Sequence, residues 1–135
     1  MNFEFTIPLE PVSKGRPRFS KQGRAYTPSK TRKAEQDLRY FLSKEFSRPP
    51  LEGPIHLFAR FTIERPKSVP EHKRPFPVVA PDWDNLAKAL TDAANGLLFV
   101  DDRQIIFATV EKCYGPQPLI YLHVREIGNG ETLDG

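Results

Sequence analysis

The 135-residue sequence predicts a single α+β domain, in which two helices pack on a mixed, mainly antiparallel β-sheet. Three observations predict it. Segments of period-two alternation stand near the N-terminus, in the middle and twice near the C-terminus. Two segments of helical period stand between them, so the element order reads β, α, β, α, β, β. With 39% hydrophobic residues, a chain of this length buries a core without disulfide staples. The domain is expected to span residues 1–127, with residues 128–135 as a flexible polar, Gly-rich tail.

The elements follow in order. Residues 2–9 alternate Phe3, Phe5 and Ile7 with polar partners and read as a first strand. Residues 13–33 hold eight basic side chains and no acidic one, with Phe19 and Tyr26 interleaved, and their Gly and Pro content predicts a loop. Thr27-Pro28 can serve as N-cap and first residue of a helix. Ala34, Leu38, Phe41 and Leu42 recur at helical spacing through about Phe46, before Arg48-Pro49-Pro50 ends the pattern. Residues 54–64 read as a second strand, with Ile55, Leu57, Ala59, Phe61 and Ile63 on one side and His56 on the polar side. Residues 65–80, with four prolines, form a long connection. Residues 105–113 and 119–127 both alternate, and the short link Tyr114–Pro118 predicts that they pair as an antiparallel hairpin.

Charge is segregated along the chain. The first 80 residues carry 16 Lys and Arg against 8 Asp and Glu, and the remaining 55 carry 4 against 9. A basic half beside an acidic half suits a polyanion held against a metal-binding cluster, although folding can also mix the two halves. The single cysteine, Cys113, has no internal disulfide partner, and the N-terminus lacks the pattern of a signal peptide. Both suit a reducing, cytoplasmic location. No apolar run approaches membrane-spanning length, so no membrane partner is expected.

The stretch 81–104, PDWDNLAKALTDAANGLLFVDDRQ, is the densest in chemistry. Leu86, Leu90, Ala93, Ala94 and Leu97 form a helical apolar stripe, Asn85, Lys88 and Asp92 a polar one, and Gly96 a stop. If residues 82–84 are extended, Asp82 and Asp84 point the same way and Trp83 the other. With a third carboxylate from Asp101-Asp102 they would make a hard-oxygen site suited to Mg²⁺ or Mn²⁺, which activates water and stabilises a phosphoryl group. A nearby lysine could neutralise charge in the transition state. The same residues also admit a structural reading. Asp84 can N-cap the helix, Lys88 and Asp92 can form an i, i+4 pair, and Asp101-Asp102 can form a turn.

Three stretches carry a resemblance. Residues 14–31 (KGRPRFSKQGRAYTPSKT), 82–105 (DWDNLAKALTDAANGLLFVDDRQI) and 111–115 (EKCYG) together resemble the RusA family of Holliday-junction endodeoxyribonucleases, small proteins of bacteria and their prophages. The resemblance implies a Mg²⁺-dependent homodimer, with Mn²⁺ able to substitute, that cuts two strands of a four-way DNA junction symmetrically in recombination and repair. It implies catalytic and metal-binding roles for Asp82, Asp84 and Asp102, and a catalytic role for Lys88. Asn85, Asp92 and Asp101 would support the site. Lys14, Arg16, Arg18, Lys21, Arg24 and Lys112 would grip backbone phosphates, which position DNA without reading its sequence. Where some members carry a basic residue before the first aspartate, this chain has Pro81. Two other functions fit the same composition: a non-catalytic basic DNA-binding module, and a nuclease for other branched DNA.

Overall fold

The computed structural model describes residues 1–13, 18–19, 23, 25–26 and 29–131. Its architecture is α+β: two helices on one face of a four-stranded mixed sheet. Strand β1 (Asn2–Ile7) buries Phe5 and Ile7 and stops at Pro8, which has no N–H for the ladder, so it ends two residues short of the sequence expectation. The basic segment, expected as a loop throughout, contains a small antiparallel ribbon of β2 (Arg18–Phe19) and β3 (Ala25–Tyr26). Helix α1 (Ser29–Glu45) follows, while the expected cap Thr27-Pro28 lies outside the described residues. Its apolar face buries Leu38 and Leu42, and Phe46 completes the face just beyond the last turn.

Strand β4 (Ile55–Glu64) buries Ile55, Leu57, Ala59 and Phe61, the alternation expected of one face against the helices. Helix α2 (Trp83–Ala94) buries Leu86, Leu90, Ala93 and Ala94 on one stripe. Gly96 stops it with φ +76°, a left-handed conformation that a side chain resists. A 3₁₀ turn (Asp102–Gln104) leads into β5 (Ile105–Gly115), and β6 (Leu119–Glu126) closes the domain.

The sheet order is β1-β6-β4-β5. β6 runs antiparallel to both β1 and β4, and β5 runs parallel to β4. The expected hairpin between the last two strands is therefore absent: β4 lies between them. A parallel pair needs a long crossover, and the segment carrying α2 supplies it. The link from β5 to β6 then passes over the end of β4. Gly115 makes that passage possible, because a Cβ there would come within 2.5 Å of Thr62 Cγ2. Burial also favours this order. β4 has apolar neighbours on both sides, whereas β5 at the edge leaves Ile106 and Phe107 58% and 43% exposed.

Two tethers set α2 in place. Arg39 of α1 donates from Nη1 to the carbonyls of Ala93 and Asn95, at 3.0 and 2.8 Å, placing a cation at the negative end of the α2 dipole. Gln104 donates from Nε2 to the carbonyls of Leu51 and Gly53, both at 2.9 Å, tying the 3₁₀ turn to the segment ahead of β4.

Candidate active site

The site is built on the N-terminus of α2. The chain reaches it through residues 65–81, which are held against the far half of β5. The Arg65 guanidinium lies 4.3 Å from the centre of the Tyr114 ring, and Arg74 Nε donates to the Tyr114 hydroxyl at 2.9 Å. Lys112, on the same side of β5 as Tyr114, donates from Nζ to the carbonyls of Val79 and Pro81, both at 2.8 Å. The peptide bond between Ala80 and Pro81 is cis.

Asp82 is extended (φ −71°, ψ 147°) and occupies the N-cap position of α2, but its side chain makes no capping bond. Trp83 already begins the helix, so residues 82–84 are not a run of strand, and Asp84 stands in the first turn rather than at the cap. Both expectations for Asp84, as part of an extended pair and as a cap, are corrected by the same fact. The helix starts one residue after Asp82, because its apolar stripe already needs Leu86 in register against the core. Both carboxylates remain exposed and line an open cleft together with Trp83, Val78, Val79 and Lys112. A carboxylate in the first turn is also favoured by the positive end of the helix dipole.

Asn85 is exposed in the same first turn. Lys88 lies one turn further on, outside the cleft wall, and its Nζ is 3.0 Å from Asp92 Oδ1. The i, i+4 pair expected on structural grounds is therefore formed, with Lys88 well exposed and Asp92 mostly covered.

Asp101 and Asp102 stand elsewhere. Asp101 caps the 3₁₀ turn: its Oδ1 accepts from the Arg103 N–H at 2.9 Å, and its own N–H donates to Gln104 Oε1 at 2.8 Å, a reciprocal capping box. The Arg103 N–H is the main reason its carboxyl lies below the ordinary carboxylate range. A hydrogen bond with Asp102 and the Arg103 charge add to this, while burial acts the other way. The Asp102 N–H donates to Asn95 Oδ1 at 3.1 Å. Asn95 ends α2 and Asp82 begins it, so a 12-residue helix, roughly 18 Å long, separates the two sites. The structure thus brings Asp82 and Asp84 together and leaves Asp102 at the opposite end of α2. Among the described residues no three His, Cys, Asp or Glu side chains are grouped to hold a metal ion. Asp82 and Asp84 alone supply hard-oxygen donors of the right chemistry for Mg²⁺.

Of the six basic residues expected to grip phosphates, Lys14, Arg16, Lys21 and Arg24 lie outside the described residues, as does the side chain of Arg18. Lys112 is described, and its ammonium is spent on backbone carbonyls. Sequence reasoning missed the residues that hold the approach to the cleft, namely Arg65, Arg74 and Tyr114. The available signal was parity, since Lys112 and Tyr114 are two residues apart on a strand.

The chain is similar to an uncharacterized protein of Bacillus subtilis (strain 168), YqaN, with 30% identity over 136 residues that cover 92% of this chain and 96% of that one. Residues 8–125, which include both ends of α2 and the whole cleft, match the family described as Endodeoxyribonuclease RusA. The chain belongs to the RusA family of endodeoxyribonucleases.

Proposed function

We propose that this chain is a divalent-metal-dependent endonuclease that resolves four-way DNA junctions as a homodimer. The observation that carries the reading is the pair Asp82 and Asp84, exposed together in an open cleft at the start of α2, in a chain of an endodeoxyribonuclease family. Asp82 and Asp84 would hold Mg²⁺ or Mn²⁺, which when bound supplies Lewis acidity for phosphodiester hydrolysis. Lys88, exposed one turn along α2, offsets negative charge that develops on the phosphate. The basic segment 14–33 binds the backbone on either side.

Two considerations support the homodimer. A junction has two-fold symmetry and needs two cuts, which a two-fold pair of subunits supplies. β5 offers the surface: it is an edge strand, and residues 105–110, IIFATV, contain none of the charges or prolines that usually blunt an edge. In a dimer a partner's Asp102 would supply the third carboxylate, which α2 holds away from the cleft within one chain. Two copies would then hold two sites of three carboxylates each.

The test is cleavage of a synthetic four-way junction, with a flap, a three-way junction and linear duplex as controls. Paired symmetrical cuts in the four-way junction, supported by Mg²⁺ or Mn²⁺ and stopped by a chelator, are expected. Equal or faster cutting of flaps would move the substrate to other branched DNA. Junction binding without cutting in any metal would leave a DNA-binding module.

A further inference from the structure

The ammonium of Lys112 points away from the role that its charge suggests. Two of its three N–H bonds are directed at the carbonyls of Val79 and Pro81, each at 2.8 Å. These carbonyls flank the last residues before Asp82. Lys112 is half-buried on β5, a strand paired with β4 from Phe107 to Gly115. Two residues further on, Tyr114 is held by Arg65 and Arg74 from the beginning and middle of the same connection. A connection of this length would otherwise be free to wander. Here it is fastened at both ends of its path to one strand, and the fastening nearest the cleft is Lys112. Charge-assisted bonds to carbonyls are short and strong, so a lysine engaged this way is a poor free arm for a phosphate.

We propose that Lys112 is a positioning residue for the carboxylate pair: by clamping the carbonyls of Val79 and Pro81 to β5, it fixes the backbone that enters Asp82 and sets how Asp82 and Asp84 face the cleft. The catalytic part of this inference rests on the reading of the cleft as the cleavage site, whereas the clamp itself does not. Small displacements matter at such sites, because a misplacement of about 1 Å can cost on the order of 10²-fold in rate.

The test uses the full chain with Lys112→Met, which keeps the aliphatic stem, and Lys112→Gln, which keeps one donor. Limited elastase digestion without metal or DNA is the first readout. Cutting after Val78 or Val79 should be on the order of 10-fold faster in Lys112→Met than in the parent, with the melting temperature unchanged and Lys112→Gln in between. The second readout separates binding from turnover. Junction affinity and its salt slope should stay within about twofold of the parent, while the single-turnover rate at saturating DNA falls by on the order of 10-fold or more. Unchanged cutting at Val78 and Val79 would overturn the clamp. A salt slope lower by about one, with the rate at saturation intact, would make Lys112 a phosphate contact instead. If the parent protein cut no branched DNA at all, the cleavage reading would fail while the proteolysis still decided the clamp.

Discussion

The backbone N–H of Asp102 donates to the side-chain oxygen of Asn95 at 3.1 Å, and this bond ties Asp102 to the end of α2 opposite Asp82. Asn95 closes the helix that Asp82 opens. The first prediction follows from that separation. Asp82→Asn, Asp84→Asn and Asp102→Asn should each abolish cleavage and leave junction binding intact or tighter, since negative charge beside DNA is removed. Mixing the Asp84→Asn and Asp102→Asn proteins should restore nicking, because in the mixed dimer one site takes both intact partners. If the three residues acted within one chain, both sites of the mixed dimer would be dead. Nicking of a junction by the re-associated mixture decides the matter.

A second prediction sets Lys88 against Asp92. Their ion pair at 3.0 Å joins a well exposed Lys88 to a mostly covered Asp92, and an i, i+4 pair contributes only a few tenths of a kcal/mol. Melting curves of Lys88→Ala and Asp92→Ala should therefore differ little from the parent. Single-turnover rates should separate: Lys88→Ala should lose roughly 10²-fold, a plausible loss for one electrostatic contact in the transition state, and Asp92→Ala much less. Equal and small losses in both would confine Lys88 to the ion pair.

The crossing of β4 by the β5–β6 link gives a third. Gly115→Ala should destabilise the fold by about 1–3 kcal/mol, because its Cβ meets the Thr62 methyl at 2.5 Å. Thr62→Ser removes that methyl, so the double variant should recover much of the loss. Urea midpoints for the four proteins of this cycle measure it, and additive effects would contradict the close contact.

His56 carries the pH prediction. It packs edge-on against Phe107, with ring centres 4.5 Å apart. Burial chiefly, then the charges of Arg125 and His123, hold its pKa below the ordinary 6.5. The unfolded chain therefore takes up the proton first as pH falls. The stability this histidine contributes is fully present above about pH 6.5 and is lost as pH drops through its lower folded value. Unfolding free energy should fall more steeply between pH 7.5 and 5 in the parent than in His56→Gln. Parallel pH profiles would show that His56 carries no such linkage.

Particular residues show what the sequence made legible. Leu86, Leu90, Ala93 and Ala94 announce α2, and Ile55 to Phe61 announce β4, because each pattern is the imprint of one face against one core. The β5–β6 arrangement was hidden because a short link between alternating segments usually means a hairpin. The ladders of β4 with both β5 and β6, between residues far apart in the chain, show that another strand intervenes. At the site, spacing alone left Asp82 and Asp84 open between a metal site and structural roles, and the resemblance added Asp102. The sequence does not show that α2 stands between them, because that separation is set by the length of the folded helix. Lys112 was read as a phosphate contact because charge does not reveal whether its partner is a phosphate or a carbonyl.

Trp83 gives the cleft an optical consequence. It is the chain's one tryptophan, it sits between the two carboxylates of the cleft, and 60% of its surface is open to water. Its indole is already wet in the native state, so its emission should shift little when the protein unfolds, and it makes a poor probe of folding. The same exposure makes it a sensitive probe of occupancy. A nucleobase stacked on the indole, or a paramagnetic Mn²⁺ bound beside it, would quench nearly all the long-wavelength emission of the molecule from a single known position. No label is required, and the binding and chemical steps at this cleft can be followed separately in one stopped-flow trace.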